Sequence, residues 1–447
     1  MFYIIETQEQ LQKFSTYDLS ESFIEPILYS DNVHPVINRV SAYFIKPSRS
    51  RTGFILPVNH SETFRLDIDV ILSLFEARVS KVYVSDIKRT RSHLPINKPL
   101  ICLKTLKWLE TGEILDDKKY NTPAHNFFYA KYPDKYDVHR IVPICKHQEK
   151  WNNFLSDNKK LLSSKIEGKR YFKFYNQLVN NVLLSLEYEG LQIDASLLSK
   201  HYPEAIQNQL VADSRVYTHY NIHTATGRPS NAFGGVNFAA MNKSDNSREF
   251  IISSKDWLVE YDYHSYHPRI LSNLIGYSFE GDDIHSHLGR MYFDVEELTK
   301  EQYSESKHLT FKLLYTNADD YMHIEFFRRV RDYKESLWRQ YREKGYLESI
   351  ISKKPIKGIE SKTQILPYLL QSYETERNMI VMKELQEYLA DKETKLILYS
   401  YDAFLIDFSK ADGSSVLTDI QGILEIDGFT TSMKFGKNYA ELKELSH

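Results

Sequence analysis

The clearest pattern of apolar and polar positions begins at Trp257. A short apolar run starts there and predicts a buried strand that ends at Asp262. Apolar residues then recur at helical spacing until Gly276, which predicts a helix after the turn. Taken alone, an acidic residue at a strand end is typical of a cap or a turn.

A second apolar pattern, over residues 396–408, predicts two strands joined by a turn at Tyr401 and Asp402. If this hairpin lies beside the first strand, Asp262 and Asp402 converge. Two such carboxylates repel each other, and each raises the pKa of the other. Mg²⁺ prefers oxygen ligands and removes that penalty, and a pair of such ions can clamp the attacking and leaving oxygens of a phosphoryl transfer.

Both segments resemble palm motifs of the family A DNA polymerases. Residues 262–271 resemble the first motif, and Tyr401-Asp402-Ala403 resembles the hairpin motif, which is usually His-Asp-Glu. The resemblance runs from about Lys173 to the end of the chain, with five motifs in the expected order. It implies an α/β (α+β) fold with a right-hand palm and fingers, and the addition of dNTPs to a primer 3′-OH on template DNA.

The resemblance also assigns roles around the two carboxylates. Asp262 and Asp402 would be the catalytic residues and would hold two Mg²⁺ ions, together with the backbone carbonyl of Tyr263. Contacts with primer-template DNA are assigned to Arg228, Arg269, Gln371 and Tyr401.

Arg228 belongs to the segment Thr226-Gly227-Arg228, which resembles the primer-side motif of the family. Gly227 permits a tight turn, and the guanidinium of Arg228 offers a fork of donors. Acceptors in the minor groove are alike on every correct base pair, so one arginine can check pairing geometry without reading sequence.

The fingers helix is predicted from Lys307, Phe311 and Tyr315, which fall at i, i+4 and i+8 and so share one face. The spacing resembles the family helix in which Lys neutralises nucleotide phosphates, Phe packs on the nucleotide and Tyr stacks near the template base. An ordinary amphipathic helix would explain the two aromatic residues as core. The chain departs from the family at Tyr303, usually Arg, and at Thr316, usually Gly.

Two histidines are also implied to contact the nucleotide. His285 resembles the family histidine that contacts an incoming phosphate. His267 stands where the family has the Glu that helps exclude a ribose 2′-OH. Its bulk still suits a sugar gate, but its hydrogen bonding differs, so a single-subunit RNA polymerase remains an alternative.

The first 165 residues alternate predicted strands and a helix, and they resemble the ribonuclease H-like proofreading exonuclease domain. The family carboxylate pair is missing from Leu28–Asn32, and Thr90 stands at the later acidic position. We therefore predict a 3′–5′ exonuclease-like domain without its metal ligands, with an unrelated α/β domain as the alternative. The basic cluster of residues 88–93 is expected to be a solvated face, or else a phosphate contact.

The predicted organisation has a reduced thumb, because only about 28 residues separate Asp194 from His223. Weak grip on duplex DNA would follow, since phosphate contacts dominate affinity. We predict an exonuclease-like domain over residues 1–165, a reduced thumb and connector over 166–222, a first palm segment over 223–282, fingers over 283–365 and a second palm segment over 366–447.

Composition narrows the remaining possibilities. The net charge of −3 gives no global basic signal, so any nucleic-acid surface must be local. The chain has only two cysteines, which indicates no disulfide framework and favours a cytoplasmic location. If the protein is encoded by a phage, the expected location is the cytoplasm of the host bacterium. No apolar run approaches the ~18 residues of a membrane span, so no membrane partner is expected. Besides DNA and dNTPs, a processivity or replication protein is a candidate partner, and a weakly catalytic DNA-binding scaffold is the alternative function.

Overall fold

The computed structural model describes residues 3–133, 135–203, 211–212, 214–279, 283–316 and 318–444. They form two compact units, Met1–His219 with Ala232–Val236 and Tyr220–Asn231 with Asn237–His447. The predicted boundary at Asp282 and some of the predicted thumb, residues 204–210 and 213, lie outside the described residues. The division into five segments stays a prediction.

The first unit contains a five-stranded mixed sheet in the order β3-β2-β1-β4-β5. Strand β1 runs antiparallel to β2 and parallel to β4, and β4 is parallel to β5. Seven of the eight residues of β1 are buried, which is typical of a strand covered on both faces. The strands are β1 Glu21–Leu28, β2 Val40–Pro47, β3 Phe54–Pro57, β4 Lys81–Val84 and β5 Leu100–Cys102.

Strand β1 contains a proline, Pro26, within its span. A proline has no N–H to donate to a strand ladder. The pairing of β1 with β4 stops at Phe23, and Pro26 therefore lies where β1 has β2 as its neighbour on one side. The absence of an N–H at Pro26 therefore removes no hydrogen bond between β1 and β4.

Helices cover this sheet, and one long helical segment follows it. That segment runs from Arg170 to Glu189, contains a π-helical stretch at Phe174–Val179, and ends at Gly190 with a φ of 62°. A small sheet joins β6 Leu191–Gln192, β7 Val211–Ala212 and β8 Arg215–Val216. The other α-helices of the unit are Gln8–Phe14, Ile68–Arg78, Ile87–Arg91, Leu103–Thr111, Pro123–Lys131, Ile144–Asn158 and Ala195–His201.

The basic cluster of residues 88–93 is not a solvated face, and that expectation is wrong. Lys88 is buried and paired with Glu187, and Arg89 is paired with the buried carboxylate of Glu25. His93 contacts the carbonyl of Pro35 at 2.8 Å. The sequence showed the charges but not their partners, most of which come from distant segments.

The second unit is organised around an antiparallel sheet in the order β15-β16-β12-β17-β18. Its centre, β12, has the apolar run that the sequence predicted. The strands from residue 220 onward are β9 Tyr220–Asn221, β10 Ser230–Phe233, β11 Val236–Asn237, β12 Trp257–Tyr263, β13 Leu347–Glu348, β14 Pro355–Ile356, β15 Lys395–Ser400, β16 Ala403–Phe408, β17 Thr431–Gly436 and β18 Lys443–Glu444.

The longest helix of the second unit, Lys362–Tyr388, carries an unusual run of buried polar residues from Glu374 to Asn378. Buried charges need partners, and Glu374, Glu376 and Arg377 have hydrogen-bond partners within the second unit. Among the described residues, no helix has both the length and the apolar character needed to cross a bilayer. The other α-helices are Tyr266–Ile275, Ile284–Phe293, Lys300–Tyr315, Glu325–Lys344 and Ser415–Leu424.

Candidate functional site

Asp262 and Asp402 lie at the same end of the central sheet. Strand β12 pairs with β16 so that Asp262 is opposite Ala403. The N–H of Tyr263 donates to the carbonyl oxygen of Asp402 at 3.1 Å. The register therefore brings the two carboxylates together, with the backbone of Tyr263 beside them.

The turns next to both carboxylates contain non-glycine residues with left-handed backbone. Ser265, after β12, has a φ of 47°, and Tyr401, in the hairpin turn, has a φ of 60°. Such residues cost roughly 1–3 kcal/mol each and collect at functional sites. The Tyr401 conformation is supported from the long helix, because Nδ2 of Asn378 donates to the Tyr401 carbonyl at 2.8 Å.

Burial and mutual repulsion disfavour the ionised carboxylates. Burial, followed by the charge of Asp402, raises the pKa of Asp262 from 3.8 to about 6. Burial, followed by the charge of Glu374, also raises the pKa of Asp402. Lys243 opposes both effects, and its Nζ lies 3.7 Å from Oδ2 of Asp262.

The donor set fits Mg²⁺. The two groups offer hard oxygen ligands, and a cation already approaches them as the ammonium of Lys243. Glu260 lies two residues before Asp262 and so on the same face of β12. Its Oε2 is buried and has no hydrogen-bond partner among the described residues, and its charge adds to the raised pKa of Asp262. Glu260 was not predicted; the period-2 spacing from Asp262 is the signal that would have found it.

A second group of residues is joined by hydrogen bonds to the buried carboxylate of Glu374. Nε of Arg228 donates to Oε1 at 3.0 Å, and Nε2 of His267 lies 2.6 Å from Oε2. The other ring nitrogen of His267 is hydrogen-bonded to the hydroxyl of Tyr315. The Arg228 guanidinium also lies 3.7 Å above the centroid of the Tyr401 ring.

Glu374 is a residue that the sequence did not single out. It lies three positions after Gln371 on the helix Lys362–Tyr388, and so on the same face. Thr226 and Gln371 approach through Oγ1 and Oε1 at 3.5 Å. The helical spacing from Gln371 was the available signal, but the partners of Glu374 lie more than 50 residues away in sequence.

The residues predicted to belong to the fingers occupy the helix Lys300–Tyr315, which begins with a capping box at Thr299. The Phe311 side chain is 38% exposed, so it is not a core residue as an ordinary amphipathic helix would require. Its ring centroid lies 6.5 Å from that of Tyr315 and 5.8 Å from that of His285. Lys307 lies over the Tyr303 ring at 4.6 Å.

His285 is buried in the first turn of the helix Ile284–Phe293, whose N-terminus is capped by Asp283. Burial lowers the pKa of His285 to about 4, against the opposing charge of Asp283. The imidazole is therefore neutral near pH 7. It can offer an N–H donor to a phosphate, but not a positive charge.

The two remaining predicted residues lie on either side of the turn after β12. Arg269 is on the helix Tyr266–Ile275, and its Nε donates to the carbonyl of His264 at 3.3 Å. Tyr263 ends β12, and its hydroxyl accepts from Nη1 of Arg377 at 2.8 Å. The backbone carbonyl of Tyr263 is thus fixed next to Asp262 by the strand.

We expect Asp262→Asn to stabilise the metal-free protein at pH 8, with the effect reduced to about half near pH 5 and lost only below about pH 4. A folded-state pKa of about 6 against 3.8 means that the ionised group costs up to about 3 kcal/mol above pH 7. Asparagine keeps the size and removes the charge. The measurement is Tm against pH for both proteins in EDTA; a stabilisation that grows as the pH falls would contradict the expectation.

Comparisons with protein-family models and with curated protein sequences find no match. Comparison with solved structures finds the "POL domain of Pol1 from M. smegmatis complex with DNA primer-template and dNTP". The alignment covers 98% of this chain and 100% of that chain, with a TM-score of 0.74 and 13% sequence identity. At this identity the likeness concerns the fold, and the chain shares the fold of a DNA polymerase domain.

Proposed function

We propose that this protein is a template-directed DNA polymerase of the short, phage-type family A form, adding dNTPs to a primer 3′-OH. The observation that carries the proposal is the convergence of Asp262 and Asp402 at one end of the palm-like sheet. The likeness to a polymerase domain solved with primer-template and dNTP supports it.

In this proposal Asp262, Asp402 and the carbonyl of Tyr263 hold two Mg²⁺ ions. When bound, such ions stabilise the charge that develops on the attacking, transferred and leaving oxygens of a phosphoryl transfer. Lys243 must then leave Asp262. Its side chain is 64% exposed, so it can swing into solvent without unpacking the sheet.

The surrounding side chains supply binding and orientation. Lys307 offers its ammonium to the nucleotide phosphates, and the half-exposed ring of Phe311 offers a surface for the nucleotide. Arg228 uses Nε and Nη2 on Glu374 and has five N–H groups in all, which leaves donors for a minor-groove contact. Glu374 thereby fixes the direction in which Arg228 points.

We expect Asp262→Ala and Asp402→Ala each to lower primer extension by at least about 100-fold, because each removes a carboxylate from the proposed metal site. Primer-template affinity, measured by fluorescence anisotropy, should stay unchanged. Asp391→Asn is the control, since that side chain is 84% exposed on the same unit. If Asp262→Ala or Asp402→Ala keeps more than a small fraction of the wild-type rate of primer extension, the proposal is contradicted.

His267 is proposed to be the sugar gate. Its two ring nitrogens are held by Glu374 and Tyr315, so the ring is fixed in place and can exclude a 2′-OH by bulk. In this proposal Glu374, which contacts Nε2 of His267, supplies the carboxylate that the family carries at position 267. Exclusion of the 2′-OH by His267 is also the property that distinguishes the proposed DNA polymerase from the RNA polymerase alternative.

We expect His267→Ala to reduce the ratio of kcat/KM for dNTP over NTP by roughly 10- to 200-fold, the range expected for a small steric difference in a pocket. His264→Ala is the matched control, because His264 lies in the same turn and is exposed. If the ratio is unchanged in His267→Ala, the gate lies elsewhere. Wild-type preference for NTPs would favour the RNA polymerase instead.

For the first unit we propose an exonuclease-like, ribonuclease H-like domain that has lost its metal chemistry. The order β3-β2-β1-β4-β5, with β2 antiparallel to its neighbours, supports this fold. Its carboxylates are already engaged: Glu25 accepts from Arg89 and from the N–H of Ser85 at 3.1 Å, and Asp86 accepts from Lys104 at 2.8 Å. Unlike Lys243 beside Asp262, which is 64% exposed, Arg89 and Lys104 are only 19% and 23% exposed, so they cannot swing away from these carboxylates into solvent to admit a metal ion.

We therefore expect no 3′→5′ degradation of single-stranded DNA in Mg²⁺ or Mn²⁺. The measurement follows a 5′-labelled oligonucleotide with wild type and with Asp402→Ala, and a proofreading polymerase serves as the positive control. Metal-dependent trimming that survives Asp402→Ala would show that the first unit is an active nuclease.

A further inference from the structure

Three buried histidines lie together in the first unit, in a region that polymerase chemistry does not use. His125 is on the helix Pro123–Lys131, His139 on the 3₁₀ turn Val138–Arg140, and His147 on the helix Ile144–Asn158. One ring nitrogen of each lies within 4.8 Å of the corresponding nitrogens of the others. Three imidazoles at this spacing are a typical ligand set for Zn²⁺.

Two of the rings are fixed by oxygen atoms on the side away from the cluster. Nε2 of His125 and Nδ1 of His147 approach each other at 3.1 Å. Nδ1 of His125 accepts from the backbone N–H of Thr122 at 3.2 Å and lies 2.9 Å from Oγ1 of the same residue, so the ring proton is on Nε2 in this structure. Nε2 of His147 lies 3.0 Å from the carbonyl of His139. Metal binding therefore requires the proton of His125 to move to Nδ1, where Oγ1 of Thr122 accepts it, as the partner on the nitrogen that does not bind metal.

The third ring, that of His139, has one nitrogen that the hydrogen bonds of the cluster leave unsatisfied. Nε2 of His139 lies 3.3 Å from Oδ1 of Asp31 and 2.6 Å from the hydroxyl of Tyr129, which donates to Oδ2 of Asp31 at 2.9 Å. Nδ1 of His139 is buried and has no hydrogen-bond partner among the described residues. An unsatisfied buried nitrogen is costly and needs an explanation.

A proton on Nδ1 of His139 would leave a buried N–H without an acceptor among the described residues, whereas a metal ion takes the lone pair of this nitrogen.

We propose that His125, His139 and His147 bind one Zn²⁺ ion, with Asp31 orienting His139 through its other ring nitrogen. Because all three ligands are buried, the ion enters as the chain folds, and a water molecule takes the fourth position of a tetrahedral site. It ties the helix Pro123–Lys131 to the helix Ile144–Asn158 through the turn between them. The carboxylate–histidine–metal arrangement is the outer shell expected of such sites.

A second histidine group in the same unit provides the control. His34, Glu187 and His219 also lie within metal-binding distance of one another. There, however, Lys88 already pairs with Glu187, and Nε2 of His34 contacts the carbonyl of Thr218 at 2.9 Å. A protein cation thus occupies the place that a metal ion would take.

The test measures zinc in the full chain, purified without a histidine tag from zinc-supplemented cultures. Elemental analysis should give about one zinc per chain, reduced to background in His147→Gln and retained in His34→Gln. Replacement by Co²⁺ should give the visible d–d absorption of a tetrahedral site. A zinc-free wild type, or zinc lost in His34→Gln and kept in His147→Gln, overturns the proposal.

Two further measurements decide the matter if His147→Gln does not fold. Asp31→Asn keeps the side-chain size and should weaken zinc affinity by roughly 10- to 100-fold, as loss of an outer partner does. Chelation of wild-type zinc should lower Tm, and added zinc should restore it. Unchanged affinity in Asp31→Asn, or a Tm indifferent to chelation, overturns the proposal. None of these readouts depends on polymerase activity.

Discussion

The proximity of Asp262 and Asp402 at one end of the sheet is the constraint on which the candidate site depends. Asp262 is partly buried and Asp402 is exposed. Desolvation, followed by the charge of Asp402 at Asp262 and of Glu374 at Asp402, disfavours the ionised forms, and Lys243 compensates only partially. Nothing in strand packing requires such a pair, since an apolar residue at either position would avoid the cost. Under the proposed function, divalent cations bound here would remove this cost and supply the chemistry of phosphoryl transfer.

The long helix Lys362–Tyr388 holds residues around Asp262 and Asp402 in place by hydrogen bonds. Its buried polar face holds Tyr401 through Asn378, and it holds Arg228 and His267 through Glu374. One helix therefore positions the strained hairpin turn, the proposed minor-groove arginine and the proposed sugar gate together. The burial of Glu374 is stabilised because both of its oxygens have partners.

The sequence predicted the elements whose signals are local. Strand β12, its helix and the hairpin at Tyr401-Asp402 follow from periodicity over fewer than twenty residues, and the spacing of Lys307, Phe311 and Tyr315 follows from one helix. The sequence could place Asp262 beside Asp402 only through the resemblance to polymerase motifs, because the order of strands in a sheet is not determined by local residues.

Features that depend on distant partners were missed. The basic residues 88–93 suggested a surface, yet Lys88 and Arg89 pair with Glu187 and Glu25, 99 and 64 residues away. Glu374 has a local signal only in its helical spacing from Gln371, and the three clustered histidines have no spacing pattern that indicates a site. In each case the tertiary contact, and not the local pattern, determines what the side chain does.

The central claim is that Asp262 and Asp402 jointly hold the metal ions of nucleotidyl transfer. The most direct measurement is a crystal structure with a dideoxy-terminated primer-template, an incoming dNTP and Mn²⁺, with the ions located by anomalous scattering. The account predicts two Mn²⁺ ions that both carboxylates contact, next to the nucleotide phosphates. Ions bound elsewhere, or a nucleotide that does not reach the end of this sheet, would contradict it.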